Sequence, residues 1–180
     1  MMNTDGTSPL VQFYRGTGTD HAGRRITEIH AFYFHQLEST HDYIQWLFPL
    51  AMRSSFNPDA PILTEEDRFQ FHHDPVIRGN YRISLDRMLD FFGYFENADG
   101  IIAQTPLWGQ LAPKWFSPEN HNAMRVTRIL RSSMLCGFVP QALALHETLR
   151  IDSRRCSGDW KRPLDYWRDA VSVIPGESEP

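Results

Sequence analysis

Apolar side chains recur every three or four residues along most of the chain, which is the spacing of one face of an α-helix. The first such series consists of Ile26, Ile29, Tyr33 and Leu37. A second series covers residues 41–48 and is ended by Pro49, because a helix interior tolerates proline poorly. Ser39 or Thr40 is placed to cap this second series. Two consecutive helices are therefore predicted before residue 50.

Later helices are marked by start and stop signals. Thr64 stands before three acidic residues, whose charge suits the N-terminus of a helix. Asp-Pro at 74–75 and Ser-Pro at 117–118 each place a capping side chain before a proline at the first helical position. Gly93 and Gly137 follow the two resulting apolar series and predict their ends.

Residues 94–113 differ from these segments, since their apolar positions lack a clear period and glycine and proline interrupt them. Loops of this length are uncommon unless they are functional or mobile. We predict a long connection that could fold over a site. Further helices are predicted over residues 141–151 and from Pro163 onward.

No segment shows the alternation of apolar and polar residues that is typical of a half-buried strand. The expected fold class is therefore all-α, a single compact globular bundle of about six or seven helices. One helical domain is expected over residues 13–174. A disordered leader is expected at 1–12 and a tail at 175–180.

The composition excludes several classes of protein. With 180 residues, of which 41% are hydrophobic, the chain can bury one sizeable core. Its net charge of −4 provides no basic field for a phosphate backbone, so nucleic acid is not an expected partner. No apolar run approaches the roughly 20 residues that cross a bilayer, so no membrane partner is expected. We expect a soluble protein, and the sequence does not indicate its oligomeric state.

The two cysteines, Cys136 and Cys156, have no metal-type spacing and give no disulfide framework. Cys136 lies in an apolar run and is expected to be buried. The expected location is the cytoplasm, where thiols stay reduced.

A first group of polar candidates is Glu38, His41 and Gln45. If one helix covers them, their spacings of three and four residues put all three on one face. Glu-x-x-His is also half of a helical two-metal site, but the sequence contains no second such pair. We therefore expect no metal.

A second group consists of His121, Arg125 and Arg128, which share one helical face with Asn122 beside them. Two arginines one turn apart can clamp a carboxylate or a phosphate. Alternatively, these arginines pair with acidic residues such as Asp90 and only hold helices together.

Aromatic side chains offer a third feature. Trp46 with Gln45, and Trp115 with Phe116, could wall a pocket, although aromatics at helical spacing also serve as ordinary core residues. The sequence contains no nucleophile elbow and no glycine-rich phosphate loop. No cofactor is expected.

Several blocks, taken in order, resemble a known family. They are Phe13-Tyr14-Arg15-Gly16, residues 37–49, Phe56-Asn57-Pro58, residues 88–93, residues 121–130 and Asp165-Tyr166-Trp167. Over residues 13–168 the chain resembles the conserved domain of the opioid growth factor receptor family. One departure is Ala123-Met124, where the family tends to carry a larger pair.

The resemblance implies a helical domain that, in the vertebrate receptor, is linked to binding an enkephalin peptide and restraining growth. That receptor is a soluble, nucleus-associated protein and not a seven-helix membrane receptor. We expect a stand-alone domain without the C-terminal repeats of the vertebrate protein.

The first functional hypothesis is a ligand-binding domain for a peptide or small acidic molecule, held between the His41 and His121 helices. Arg125 and Arg128 would bind its carboxylate, and Trp46 and Trp115 would pack against its apolar part.

The second hypothesis is a cofactor-free enzyme such as a cyclase or isomerase. His41 or His121 would act as general acid or base, oriented by Glu38 or Asp90, and Arg125 would stabilise developing negative charge. A third hypothesis is a structural scaffold.

Overall fold

The computed structural model describes residues 7–54 and 57–172. The chain divides into two compact units, which are Met1–Arg87 (unit 1) and Met88–Pro180 (unit 2). The predicted tail, the first six residues of the predicted leader and Phe56 lie outside the described residues. None of the described helices is long and apolar enough to cross a membrane.

Unit 1 is built from helices that pack around buried aromatic rings. Its elements are α1 (Pro9–Tyr14), α2 (Ile26–His30), α3 (Phe34–Ser39), α4 (Ile44–Leu47), α5 (Glu65–His73) and the part of α6 (Pro75–Phe92) up to Arg87. Tyr14 lies 4.6 Å from Phe71, and Tyr81 lies 5.6 Å from Phe48, between ring centroids. All four side chains are fully buried. Each such edge-to-face pair adds about 0.5–1.5 kcal/mol beyond the burial of its area.

The predicted start signals of α5 and α6 are confirmed. Thr64 Oγ1 accepts a hydrogen bond of 3.1 Å from Asp67 N, and the Asp67 carboxylate accepts one of 3.0 Å from Thr64 N. This reciprocal arrangement is a capping box at the start of α5. Asp74 accepts a bond of 2.8 Å from Val76 N, with Pro75 at the first position of α6.

The stretch predicted as a leader contains the start of α1. Ser8 Oγ accepts a hydrogen bond of 3.1 Å from Val11 N, and Pro9 occupies the first helical turn. Leu10 is fully buried and Val11 nearly so. For residues 9–12 the expectation of disorder is therefore wrong, because two apolar side chains in this short helix are part of the core.

Unit 2 contains a small antiparallel sheet besides its helices. Its elements are the end of α6, β1 (Tyr94–Glu96), β2 (Ile102–Gln104), α7 (Trp108–Trp115), α8 (Asn122–Leu135), α9 (Val139–Ser153) and α10 (Lys161–Ser172). Phe95 lies opposite Ala103 in the sheet. The Asn97 side chain holds the connecting turn by accepting bonds from Asp99 N (3.0 Å) and Ile101 N (2.9 Å).

Two parts of the predicted fold class are therefore wrong. Residues 94–113 form a hairpin and most of α7 instead of an irregular connection. The described residues contain ten helices and a two-stranded sheet, so the fold is mostly helical rather than an all-α bundle of six or seven helices. Strands of three residues are too short to show a period of two, and helices of four to six residues do not complete two turns.

The ends of α6 and α8 agree with the sequence, whereas the start of α8 does not. Gly93 and Gly137 have φ of +83° and +80°, a left-handed conformation that glycine adopts easily after a helix. Residues 117–120 form a turn, and α8 begins only at Asn122. Asn120 Oδ1 accepts a hydrogen bond of 2.9 Å from Asn122 N, and the N-cap residue of α8 is His121 instead of Ser117.

Candidate functional site

The first predicted polar group does not lie on one helix. Helix α3 ends at Ser39, and Thr40 has an extended backbone with ψ of 131°, so the chain leaves the helical path there. His41 lies in the break before α4, which covers only Ile44–Leu47. The shared face of Glu38, His41 and Gln45 was expected only if one helix covered all three, and that condition is not met. Neither Ser39 nor Thr40 caps α4, whose N-cap residue is Tyr43.

Gln45 and Trp46 are both buried, at 5% and 4% exposure. Trp46 packs against Phe13 with ring centroids 5.2 Å apart, and its Nε1 donates a hydrogen bond of 3.0 Å to His21 Nδ1. Gln45 Oε1 has no hydrogen-bond partner among the described residues. A buried acceptor without a partner costs roughly 1–3 kcal/mol.

A charged network beside Trp46 was not predicted from the sequence. Arg24 binds Asp20 at 2.6 Å and Asp42 at 2.9 Å, and the other oxygen of Asp42 lies 3.4 Å from His21 Nε2. Burial alone would lower the pKa of Arg24, but the hydrogen bonds to the two carboxylates raise it above its usual value. The sequence pattern that could indicate this network is weak, because Asp20 and Arg24 belong to an irregular loop and Asp42 is distant in sequence.

The second polar group is partly connected by hydrogen bonds. Arg125 Nη1 donates to Asn122 Oδ1 at 3.2 Å, and Asn122 Nδ2 donates to Asn120 Oδ1 at 3.0 Å. Asn122 is fully buried and Arg125 is 6% exposed. Burial lowers the pKa of Arg128 to about 10, so this guanidinium stays protonated at neutral pH. The side chain of Arg125 is thus buried in unit 2, and that of Arg128 is a partly buried cation.

Trp115 lies inside an aromatic cluster of unit 2. Its ring centroid is 4.4 Å from that of Phe92 and 5.0 Å from that of Phe116. Its Nε1 donates a hydrogen bond of 3.1 Å to Phe92 O, and the side chain is 4% exposed. Because its Nε1 already donates to a backbone carbonyl inside the unit, Trp115 is placed as a core residue and not as a pocket wall. Asp90, by contrast, is exposed.

A groove of about 510 Å³ opens between the start of α8 and the start of α10. Its lining residues are Pro118, Glu119, Asn120, His121, Ala123, Met124, Thr127, Asp159, Arg162, Pro163 and Tyr166. Of the predicted site residues, His121 lines the groove and is exposed. Asn122, Arg125 and Arg128 do not line it.

The groove combines both signs of charge with an apolar wall. Arg162 Nε donates a hydrogen bond of 3.2 Å to the Tyr166 hydroxyl, and the guanidinium lies 5.6 Å from the centre of that ring. Asp159 accepts a hydrogen bond of 3.0 Å from Lys161 N at the start of α10. Within residues 7–54 and 57–172, Glu119 and Arg162 form no ion pair. Two ionic groups in the groove thus remain available to a ligand.

The described residues of the two units contain no evident metal centre. In the part of the chain that the structure describes, no three His, Cys, Asp or Glu side chains are placed to share a metal ion. Both cysteines are free thiols, with Cys136 buried as expected and Cys156 exposed. Burial and the Asp152 carboxylate raise the pKa of the Cys156 thiol, which makes it a poor nucleophile at neutral pH.

Comparison with known proteins gives relatives that are named after the opioid growth factor receptor. Opioid growth factor receptor-like protein 1 of Xenopus tropicalis is 33% identical over 106 residues, which are 58% of this chain and 20% of that protein. The mouse (Mus musculus) protein of the same name is also 33% identical over 106 residues, or 22% of its length. The opioid growth factor receptor of Rattus norvegicus is 31% identical over 100 residues, covering 53% of this chain and 17% of the relative.

The chain thus spans about a fifth of the length of these relatives. No solved structure matches it. Residues 6–156 match the opioid growth factor receptor conserved region, which is most of the chain. The chain therefore belongs to the opioid growth factor receptor family.

Proposed function

We propose that the chain is a ligand-binding domain and that the groove beside His121 holds a peptide or a small acidic molecule. The groove itself carries this proposal. It has the volume of a small-ligand site, and its lining mixes apolar side chains with a few ionic and hydroxyl groups, as such sites usually do. The relatives are named as a receptor and a receptor-like protein, which favours binding over catalysis.

The apolar wall is accessible to a ligand. Met124 is 53% exposed and Tyr166 is 38% exposed, and Pro163 lies beside them in the lining. Large apolar side chains that stay exposed inside a groove are typical of binding sites. The expected occupant therefore carries an apolar group against Met124.

A carboxylate of the ligand is expected to bind Arg162. Its guanidinium can take a carboxylate with two parallel hydrogen bonds, and Tyr166 already orients it through its hydroxyl. Arg162 thus replaces Arg125 and Arg128 in the role predicted from the sequence, since those two do not line the groove. Glu38, His41, Gln45 and Trp46 belong to unit 1 and have no part in this groove.

The test is a calorimetric or NMR titration of the protein with short peptides and small carboxylic acids. Met124→Trp fills the groove and is expected to reduce affinity by at least tenfold. Leu143→Trp is the matched control, because Leu143 is 47% exposed on α9 and does not line the groove. Equal affinities for the two variants and the unchanged protein would contradict the proposal.

The enzyme alternative is favoured by one observation, which is that the exposed imidazole of His121 reaches the groove. On any substrate found by turnover screening, His121→Ala should lower kcat by about 10²–10⁴-fold with little change in ligand affinity. Unchanged turnover in this variant would remove His121 as the acid or base. If no ligand binds and no substrate turns over, the scaffold alternative stands.

A further inference from the structure

One histidine joins a surface loop of unit 1 to a buried indole. The imidazole of His21 lies nearly parallel to the indole of Trp46, with 15° between the ring planes and 6.3 Å between the ring centroids, and its Nδ1 accepts a hydrogen bond of 3.0 Å from Trp46 Nε1. An indole N–H can only donate a hydrogen bond. His21 Nδ1 is therefore unprotonated in this arrangement, and the ring proton sits on Nε2, which faces Asp42 Oδ2 at 3.4 Å.

The surrounding charges supply a counterion for a protonated His21. Asp42 faces His21 with one carboxylate oxygen and binds Arg24 with the other, and Arg24 also binds Asp20. With a neutral imidazole, two carboxylates and one guanidinium leave this group with one excess negative charge. Protonation of His21 balances the charges. It strengthens the ion pair with Asp42 while the hydrogen bond from Trp46 is lost.

We propose that His21 is a pH-sensitive latch between the loop at residues 20–24 and Trp46. In its neutral form the imidazole accepts the Trp46 hydrogen bond. Protonation places a second N–H on Nδ1, which then faces the indole N–H donor to donor, and that hydrogen bond breaks. Imidazoles usually titrate between about pH 5 and 8. The latch is closed while the imidazole is neutral and open once it is protonated.

Opening the latch affects more than one surface contact. Trp46 is 4% exposed and packs against Phe13 of α1, so its hydrogen bond to His21 ties the loop to the core of unit 1. When the bond breaks, the loop is held by the ions Asp20, Arg24 and Asp42 instead of by the indole. This device lies outside the groove in unit 2 and does not depend on the proposed function.

The experiment follows the indole N–H signals of the full ¹⁵N-labelled chain by NMR. The sequence has 5 tryptophans, and Trp46→Phe identifies the signal of Trp46. From about pH 8 to about pH 5 the Trp46 signal should shift, and its protection against hydrogen exchange should fall about five- to tenfold, the equivalent of one hydrogen bond. An unchanged Trp46 signal over this range would overturn the proposal.

Two variants separate the latch from a general effect of pH. In His21→Gln the amide oxygen can accept the Trp46 bond and does not titrate, so the signal should become independent of pH. His35→Gln removes another imidazole of unit 1, stacked on Tyr33 at 5.8 Å, and should leave the response intact. A response that persists in His21→Gln, or that His35→Gln also abolishes, counts against the latch.

The signals of the other four indoles show whether His21→Gln folds. If it does not fold, Asp42→Asn provides a second test of the latch. Loss of the counterion should move the midpoint of the Trp46 transition to lower pH. A midpoint equal to that of the unchanged protein would overturn the role of the Asp42–His21 pair.

Discussion

The segments at residues 38–46 and 121–128 have similar sequence patterns but different structures. Both carry apolar and polar positions at helical spacing, and a polar face was predicted for each wherever one helix covers it. The first is broken at Thr40 and continues only as the four-residue α4, while the second lies in the 14-residue α8. Spacing places side chains on one face only where a continuous helix exists. The comparison shows that helix length decides whether such a pattern becomes a surface.

The two segments also use their polar groups differently. In the first, Trp46 bonds to His21 inside unit 1, and the Gln45 oxygen is buried without a partner. In the second, Asn122 and Arg125 are bonded to one another, while Met124 on another side of α8 lines the groove. The following predictions sharpen or break this contrast, from the largest expected effect to the smallest.

Trp46→Ala and Trp115→Ala should each lower the free energy of unfolding by about 3–5 kcal/mol, because each removes a buried aromatic side chain. Met124→Ala should cost less than about 1 kcal/mol, since Met124 is 53% exposed. Urea unfolding measures all three. If Trp115→Ala were as mild as Met124→Ala, Trp115 would be a ligand contact and not a core residue.

Two buried amides should respond in opposite ways to an apolar replacement. Asn122→Leu should cost about 1–3 kcal/mol, because the partners Asn120 and Arg125 lose their hydrogen bonds. Gln45→Met should be nearly neutral or stabilising, because the Gln45 oxygen has no bond to lose. Thermal and urea unfolding of both variants test this, and a large loss for Gln45→Met would show that Gln45 has a partner in solution.

The protein should lose stability as the pH decreases, because His30 is harder to protonate in the folded chain than in the unfolded chain. Its Nε2 lies 2.8 Å from Ser84 Oγ, and burial, with a contribution from the charge of Arg87, lowers its pKa from 6.5 to about 4. The unfolded chain therefore binds this proton more readily than the folded one. The contribution is complete above pH 6.5 and is lost as the pH falls from 6.5 towards 4.

After allowance for screening of the partly exposed ring, we expect His30 to account for about 1–2 kcal/mol of that loss. Urea unfolding at neutral pH and at about pH 5 measures it. His30→Gln should remove this part of the pH dependence. His121→Gln, at an exposed position of unit 2, should retain it.

The smallest expected effects are those of removing two hydroxyl groups, one from the observed helix cap Thr64 and one from the predicted cap Ser39. Thr64→Ala should cost about 1 kcal/mol, because Thr64 accepts a hydrogen bond from Asp67 N at the start of α5. Ser39→Ala should stay within about 0.5 kcal/mol, since Ser39 ends α3 and does not cap α4. Thermal unfolding of the two variants is sufficient. Equal losses would mean that Ser39 has a capping role after all.

Local chemistry was predicted well from the sequence. The capping box at Thr64, the Asp-Pro start of α6 and the glycine ends of α6 and α8 all follow from residues a few positions apart. The hairpin was missed, because its three-residue strands are held by long-range packing, such as the bond of 2.7 Å from Thr148 Oγ1 to Ile102 O. Of the candidate site, only His121 was anticipated in the groove, whose other ionic residues come from α10 and the loops beside it.

The sequence by itself determined the family, the helical character and several of the positions where helices start and stop, because these depend on neighbouring residues and on recognisable blocks. Only the tertiary structure decided which polar groups meet. His21 reaches Trp46 and Asp42 across more than twenty residues, and Arg162 reaches the groove of His121 across about forty. Such encounters depend on how helices pack, and the packing is set by side-chain shapes throughout each unit, which the spacing within any one segment does not record.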